Sequence, residues 1–227
     1  MSSYFFRCLP LLLVGTALAY NGVNTSIKTT AAAASSEPVV TMPPSTAKEV
    51  QTAVLAGGCF WGVEAVFEHV KGVTGVTSGY SGGAAKTAHY DMIGSGKTGH
   101  AEAVRVTYDP SKVSYEQLLK VFFSVAHDPT ELNRQGPDTG TQYRSAIFYS
   151  SEDQKRIARS YMDQLNGDKV FARPVVTQLV ALESFYEAEA YHQDYLANHP
   201  HEPYIVINDV PKVENLRKQF PELYISK

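Results

Sequence analysis

The chain has 227 residues, 44% of them hydrophobic and 19% charged, a globular composition with enough length to bury one core. Its formal charge of −3 supplies no basic field for phosphate backbones, so nucleic-acid binding has no compositional support. A small molecule or another protein is the expected partner.

The chain opens with a single cation, Arg7, followed by an apolar run over residues 8–19 that ends in the small-residue pattern Ala17-Leu18-Ala19. Such a run falls short of the roughly 20 residues of a membrane-spanning helix. Residues 1–19 therefore read as an export signal to a periplasmic or secreted destination, with an uncleaved membrane anchor as the alternative. Residues 20–50 are dominated by Ala, Ser, Thr and Pro and hold too few large apolar side chains to offset the ordering of the chain. They read as a flexible tether, which leaves residues 51–227 as the globular domain. Cleavage of the signal removes Cys8 and leaves Cys59 as the lone thiol, with no intramolecular disulfide possible.

Residues 52–56 (TAVLA) form a short apolar run that ends at Gly57-Gly58, as a buried strand entering a tight turn does. Val63, Val66, Phe67 and Val70 then recur at helical spacing, so an amphipathic helix follows directly. Between them lies GGCFWG at 57–62, which holds the single tryptophan of the chain. This spacing sets Cys59 at the start of the helix, where unpaired N–H groups favour an anion and bias the sulfur towards thiolate.

A glycine-rich stretch over 72–83 precedes the alternating strand HAEAVRVTYDP at 100–110. Ser114-x-x-Gln117 is a capping-box pattern ahead of an apolar helix through Leu118, Phe122 and Val125. Residues 145–149 (SAIFY) read as a buried strand, and Ser151-x-x-Gln154 opens a helix through Ile157, Tyr161 and Leu165. A further strand is expected over 174–182 and a further helix over 187–196. Strands separated by helices predict an α/β domain of the two-layer α+β kind, ferredoxin-like, with a mixed sheet and helices largely on one side.

Period-two alternation on the strand after Gly99 assigns His100, Glu102, Val104 and Val106 to one face and Ala101, Ala103, Arg105 and Thr107 to the other. Glu102 thus lies beside valines, and burial without a cation keeps a carboxylic acid protonated near neutral pH. Pairing with a distant Lys or Arg is the alternative. A nucleophilic thiol, a neutral acid and two aromatic rings suit a small electrophile that carries a polar oxygen.

At these residues the chain resembles the peptide methionine sulfoxide reductases of type A, which repair oxidised proteins by reducing the S epimer of methionine sulfoxide. The matching strings are GGCFWG at 57–62, GYSGG at 79–83, TGHAEAV at 98–104, DTGTQYRS at 138–145 and FYEAEAYHQDYL at 185–196. The resemblance implies Cys59 as the nucleophile and Glu102 as the acid that protonates the sulfoxide oxygen. It implies Tyr90 and Tyr143 as hydroxyl donors to that oxygen, Phe60 and Trp61 as walls for the S-methyl group, and Asp138 as an organiser of water and backbone. Cys59 is left as sulfenic acid, the first rung of thiol oxidation.

The sequence departs from that pattern at Pro137, where asparagine is usual, and in having no resolving cysteine anywhere after Cys59. An external thiol is therefore expected to regenerate the enzyme, either a small thiol or a thioredoxin-like or glutaredoxin-like protein, with no bound cofactor or metal and a monomeric chain. His192, His199 and His201 match no familiar zinc spacing. Two other functions compete. A papain-like cysteine protease would use Cys59, His192 and Asn208, whose separations are near those of that family, although the C-G-[SA]-C-[WY] pattern is absent. A thiol or peptide-binding module would bind methionine sulfoxide without turning it over.

Overall fold

The structure is a computed structural model, and it describes residues 49–227. The expected export signal at 1–19, and the tether at 20–50 apart from Glu49 and Val50, lie outside the described residues.

Strand β1 (Gln51–Gly57) becomes buried from Ala53 onward, as its apolar run dictates. It turns through Gly58 and Cys59 into helix α1 (Phe60–Glu68), which buries Val63, Val66 and Phe67 against the sheet. Strand β2 (Val73–Ser81) follows. This segment reads as glycine-rich in sequence and proves to be a nine-residue strand. Its Gly79 has a packing reason, because a Cβ there would run into the Tyr186 carbonyl and the Phe185 ring of the neighbouring strand.

The short helix α2 (Tyr90–Ile93) leads to strand β3 (Ala101–Tyr108) and then to helix α3 (Tyr115–Val121). Both halves of the capping box expected before α3 are present: Gln117 N–H donates to Ser114 Oγ at 3.2 Å and Ser114 N–H to Gln117 Oε1 at 2.9 Å. The expected helix continues through a π-helical turn at Phe122–Ala126. Two-residue strands β4 (Arg134–Gln135) and β5 (Asp138–Thr139) pair antiparallel. Strand β6 (Ser145–Tyr149), helix α4 (Glu152–Gly167) and strand β7 (Gln178–Ala181) come next.

The four central strands lie in the order β6-β1-β3-β2, each antiparallel to its neighbours. With α1 joining β1 to β2 and α3 on the way from β3 to β6, this is the expected ferredoxin-like arrangement. The edge strand β7 pairs parallel with β6, which makes the sheet mixed. Leu55, Val104, Val106 and Ile147 face the main core with the helices. Val54, Ala56, Ala101, Ala103, Ala146 and Phe148 form a smaller cluster on the opposite face, capped by Leu182 and Phe185.

The expected helix over 187–196 does not form. Residues Phe185–Glu187 instead make the edge strand β8 against β2, a single 3-10 turn spans Ala190–His192, and helix α5 (Tyr195–Asn198) is one turn long. Gln193 explains the difference, because its side chain accepts from Ser78 N–H at 2.9 Å and donates to Ser78 O and Ala188 O at 3.0 Å. It thus occupies backbone groups of β2 and its flank, and Asp194 then takes φ 53°, which ends any helical continuation. Helices α6 (Pro203–Asn208) and α7 (Val210–Gln219), each with proline in its first turn, close the chain against α1.

The seam between α1 and the sheet holds Cys59 in place, and Phe67 within it is fully buried. Phe67→Ala is expected to lower the unfolding free energy by about 3–5 kcal/mol through lost burial and the cavity left behind. Urea unfolding of the variant checks this, and a loss below about 1 kcal/mol would contradict the assigned packing.

Candidate active site

The turn from β1 to α1 is shaped by what cannot fit there. A Cβ on Gly57 would come within 2.9 Å of His127 Cγ, and Gly58 has φ 95°. This delivers Cys59 as the N-cap residue of α1, with φ −54° and ψ 124°. The thiol is buried, and Cys59 is the free cysteine among the described residues.

Glu102 stands opposite Tyr80 in the β2–β3 register and points to the helix-covered face, as the parity count requires. It is 3% exposed and accepts a hydrogen bond from Phe60 N–H to Oε2 at 3.1 Å. Burial pushes its pKa up to about 8, against the Phe60 N–H that favours the anion and with added repulsion from Asp138. It makes no salt bridge among the described residues, so the distant-cation alternative falls.

The expected thiolate bias is corrected by the structure. Burial, first of all, and then the charges of Glu102 and Asp209 raise the Cys59 thiol well above its ordinary value. The Trp61 backbone N–H and Lys212 act the other way and are outweighed; no cap hydrogen bond closes on the sulfur. A helix start favours an anion only by a modest amount, whereas full desolvation opposes it by more.

The other expected residues gather around this pair. Tyr90 opens α2, its N–H held by Glu189 Oε1 at 3.0 Å, while Glu189 Oε2 accepts from Tyr80 OH at 2.8 Å. Its hydroxyl is pushed up to about 12 by burial and by the Glu102 and Cys59 charges, and its ring lies 4.2 Å from the His192 ring that also packs on Phe60. The Tyr143 hydroxyl is raised by burial and by Glu102, Asp138 and Cys59. Phe60 is buried, its ring 5.0 Å from the His192 ring. Trp61 stacks on Tyr195 at 3.7 Å between centroids, and its Nε1–H donates to His192 Nδ1 at 3.1 Å. Asp138 accepts a hydrogen bond from Tyr204 OH.

A cleft of about 210 Å³ opens at Cys59, walled by Gln135, Pro137, Asp138, Tyr204, Asn208 and Lys212. Phe60 and Trp61 do not line this cleft themselves, but the Trp61 ring meets the Tyr204 wall edge-on at 6.0 Å between centroids. Sequence reasoning assigned no site role to Tyr195, Tyr204, Asp209 or Lys212. Tyr195 lay inside a matched string as one tyrosine among 14, and the remaining three reach the site only through the packing of α6 and α7.

The arrangement does not make a protease. His192 Nδ1 is engaged by the Trp61 indole, and Asn208 Nδ2 donates to Tyr204 O at 3.0 Å. Neither closes a hydrogen bond with Cys59 or with the other, so the base-and-orienter geometry that a cysteine protease needs is missing. Among the described residues no group of three or more His, Cys, Asp or Glu side chains is arranged to hold a metal ion.

The family model described as peptide methionine sulfoxide reductase matches residues 51–224. The chain is 59% identical over 177 residues to peptide methionine sulfoxide reductase MsrA 2 of Mesorhizobium japonicum, covering 78% of this chain and 91% of that protein. It is 48% identical over 188 residues to a protein of the same description from Synechocystis, covering 82% and 88%. Among solved structures it is similar to reduced Mxr1 of Saccharomyces cerevisiae, with TM-score 0.62 and 31% identity over 71% of this chain and 92% of the other. It is also similar to methionine sulfoxide reductase A of Corynebacterium diphtheriae, with TM-score 0.58 and 34% identity over 66% and 76%.

Glu102 holds its proton more tightly folded, with a pKa of about 8, than its ordinary 4.5 allows when unfolded. Below pH 4.5 both states are protonated, and between about 4.5 and about 8 the unfolded state ionises first, so Glu102 draws stability down across that window. Glu102→Gln is expected to gain stability on the wild type as pH rises through it and to hold a constant lead above. Urea unfolding of both proteins against pH checks this, and a pH-independent difference would contradict the buried acid.

Proposed function

This chain belongs to the peptide methionine sulfoxide reductase family, and on that premise we propose how its residues reduce the S epimer of methionine sulfoxide to methionine. The observation that carries the proposal is the Phe60 N–H bond to Glu102 Oε2, which ties a buried neutral acid to the helix start that bears the nucleophile.

Cys59 sulfur attacks the sulfoxide sulfur, and Glu102 gives its proton to the sulfoxide oxygen as the S–O bond lengthens. The oxygen grows more basic along that path, so hydrogen bonds from Tyr90 and Tyr143 strengthen towards the transition state. The thiol proton displaced in the attack returns to the Glu102 carboxylate. The hydroxyl then passes from the substrate sulfur to the Cys59 sulfur as the new S–S bond and the S–O bond break, so methionine leaves as the thioether carrying the electron pair and Cys59 is oxidised to sulfenic acid. Phe60 and Trp61 present the apolar surface for the S-methyl group, and the Asp138–Tyr204 bond holds Tyr204 beside Trp61.

No cysteine follows Cys59, so an external thiol condenses with the sulfenic acid and releases water. A second thiol then attacks the mixed disulfide, giving an external disulfide and restoring Cys59. A thioredoxin-like or glutaredoxin-like protein, or a small thiol, fills this role. On this reading the enzyme repairs methionine in proteins and as the free amino acid under oxidative stress, and the N-terminal apolar run supports its export.

Cys59→Ser is expected to abolish reduction of the S epimer, and Glu102→Gln to lower kcat by about 100-fold or more, the scale of a lost general acid. Mass spectrometry after one equivalent of substrate without reductant should find one added oxygen on the Cys59 peptide. Equal turnover of the R epimer, or full activity in Glu102→Gln, would contradict the assignment.

A further inference from the structure

Lys212 is the one cation among the side chains that line the Cys59 cleft. Its ammonium pairs with Asp209 Oδ1 at 3.0 Å, and the lysine side chain is 17% exposed while that of Asp209 is fully buried. Asp209 Oδ2 has no hydrogen-bond partner among the described residues. The pair is pressed onto the first turn of α1: a Cβ on Gly62 would overlap Asp209 Oδ1 and lie 2.7 Å from Lys212 Nζ. A buried ion pair of this kind is a poor source of stability, whereas a cation held against the helix start beside a buried thiol has an electrostatic use.

We propose that Lys212, clamped by Asp209 and by the bare backbone at Gly62, is a positioning residue that balances negative charge on Cys59, above all when the sulfur leaves its mixed disulfide with an external thiol. That step breaks the S–S bond: the incoming thiolate bonds to the external sulfur, and Cys59 departs carrying the electron pair. A buried sulfur departs slowly unless its charge is met, and leaving-group ability follows the stability of the thiolate. The groups that face Cys59 are otherwise acidic or neutral: Glu102 from β3, Asp138 from β5, Asp209 between α6 and α7, and the phenols of Tyr90, Tyr143, Tyr195 and Tyr204. Lys212 and Asp209 bear on the thiol with opposite sign.

The role deepens the reductase reading, but its deciding test, alkylation of Cys59, needs no sulfoxide, so the two fail separately. The rate of carboxamidomethylation of Cys59 by iodoacetamide is measured against pH on the full chain, with the Cys59 peptide resolved from Cys8 by mass spectrometry. Lys212→Met is expected to move the midpoint upward by about one pH unit and to slow alkylation near neutral pH about tenfold. Lys212→Arg stays close to wild type, and Asp209→Asn, which keeps the lysine, moves the midpoint downward. With saturating dithiol and sulfoxide, kcat falls in Lys212→Met and recovers in Lys212→Arg. Should Lys212→Met fail to fold, the downward shift in Asp209→Asn decides the matter. Superimposed profiles, or shifts in the same direction for Lys212→Met and Asp209→Asn, would overturn the proposal.

Discussion

The hydrogen bond from Phe60 N–H to Glu102 Oε2 is the constraint on which the site depends. It joins the first residue of α1 to the central strand β3 across 42 positions of sequence, and Cys59 is the residue immediately before it. Because α1 and β3 are each locked by fully buried apolar neighbours, the bond has little freedom, and neither do the sulfur and the carboxyl. The bond also occupies one carboxyl oxygen, so the proton is left for the other. Geometry is thus set by this contact, while burial sets the protonation state and outweighs the pull of the Phe60 N–H towards the anion.

The electrostatics of the cleft follow from burial more than from pairing. Glu102, the Cys59 thiol and the phenols of Tyr143 and Tyr204 are all shifted towards their neutral forms, with desolvation the first cause in each. A site composed of neutral donors suits a neutral, strongly accepting oxygen such as that of a sulfoxide, since no charge has to be displaced before the substrate enters. Charge arises during the reaction instead, and the Lys212–Asp209 pair is the place where the fold has a cation ready for it.

Much of this was legible in the sequence because local patterns agreed with the fold. The β1 run, the α1 periodicity and the parity of β3 each fixed a face, and the parity alone set Glu102 among valines. The failures share a cause, in that long-range contacts overrode local signals. Gly75 and Gly79 mask β2 as a loop, yet Gly79 exists to admit β8. The apolar spacing at 187–196 imitates a helix, but Gln193 spends its amide on β2. The thiolate expectation weighed the helix start and had no measure of desolvation. Tyr204, Asp209 and Lys212 lie in a segment with no matched string, and only the docking of α6 and α7 on α1 brings them to Cys59.

The central claim is that Glu102 is a protonated acid at working pH, and infrared difference spectroscopy observes this directly. The carbonyl stretch of a protonated carboxylic acid, assigned by its loss in Glu102→Gln, should persist through neutral pH and fade only as pH passes about 8. A band already absent at pH 6 would mean that Glu102 is ionised in the resting protein, and proton delivery to the sulfoxide oxygen would then have to come from another group.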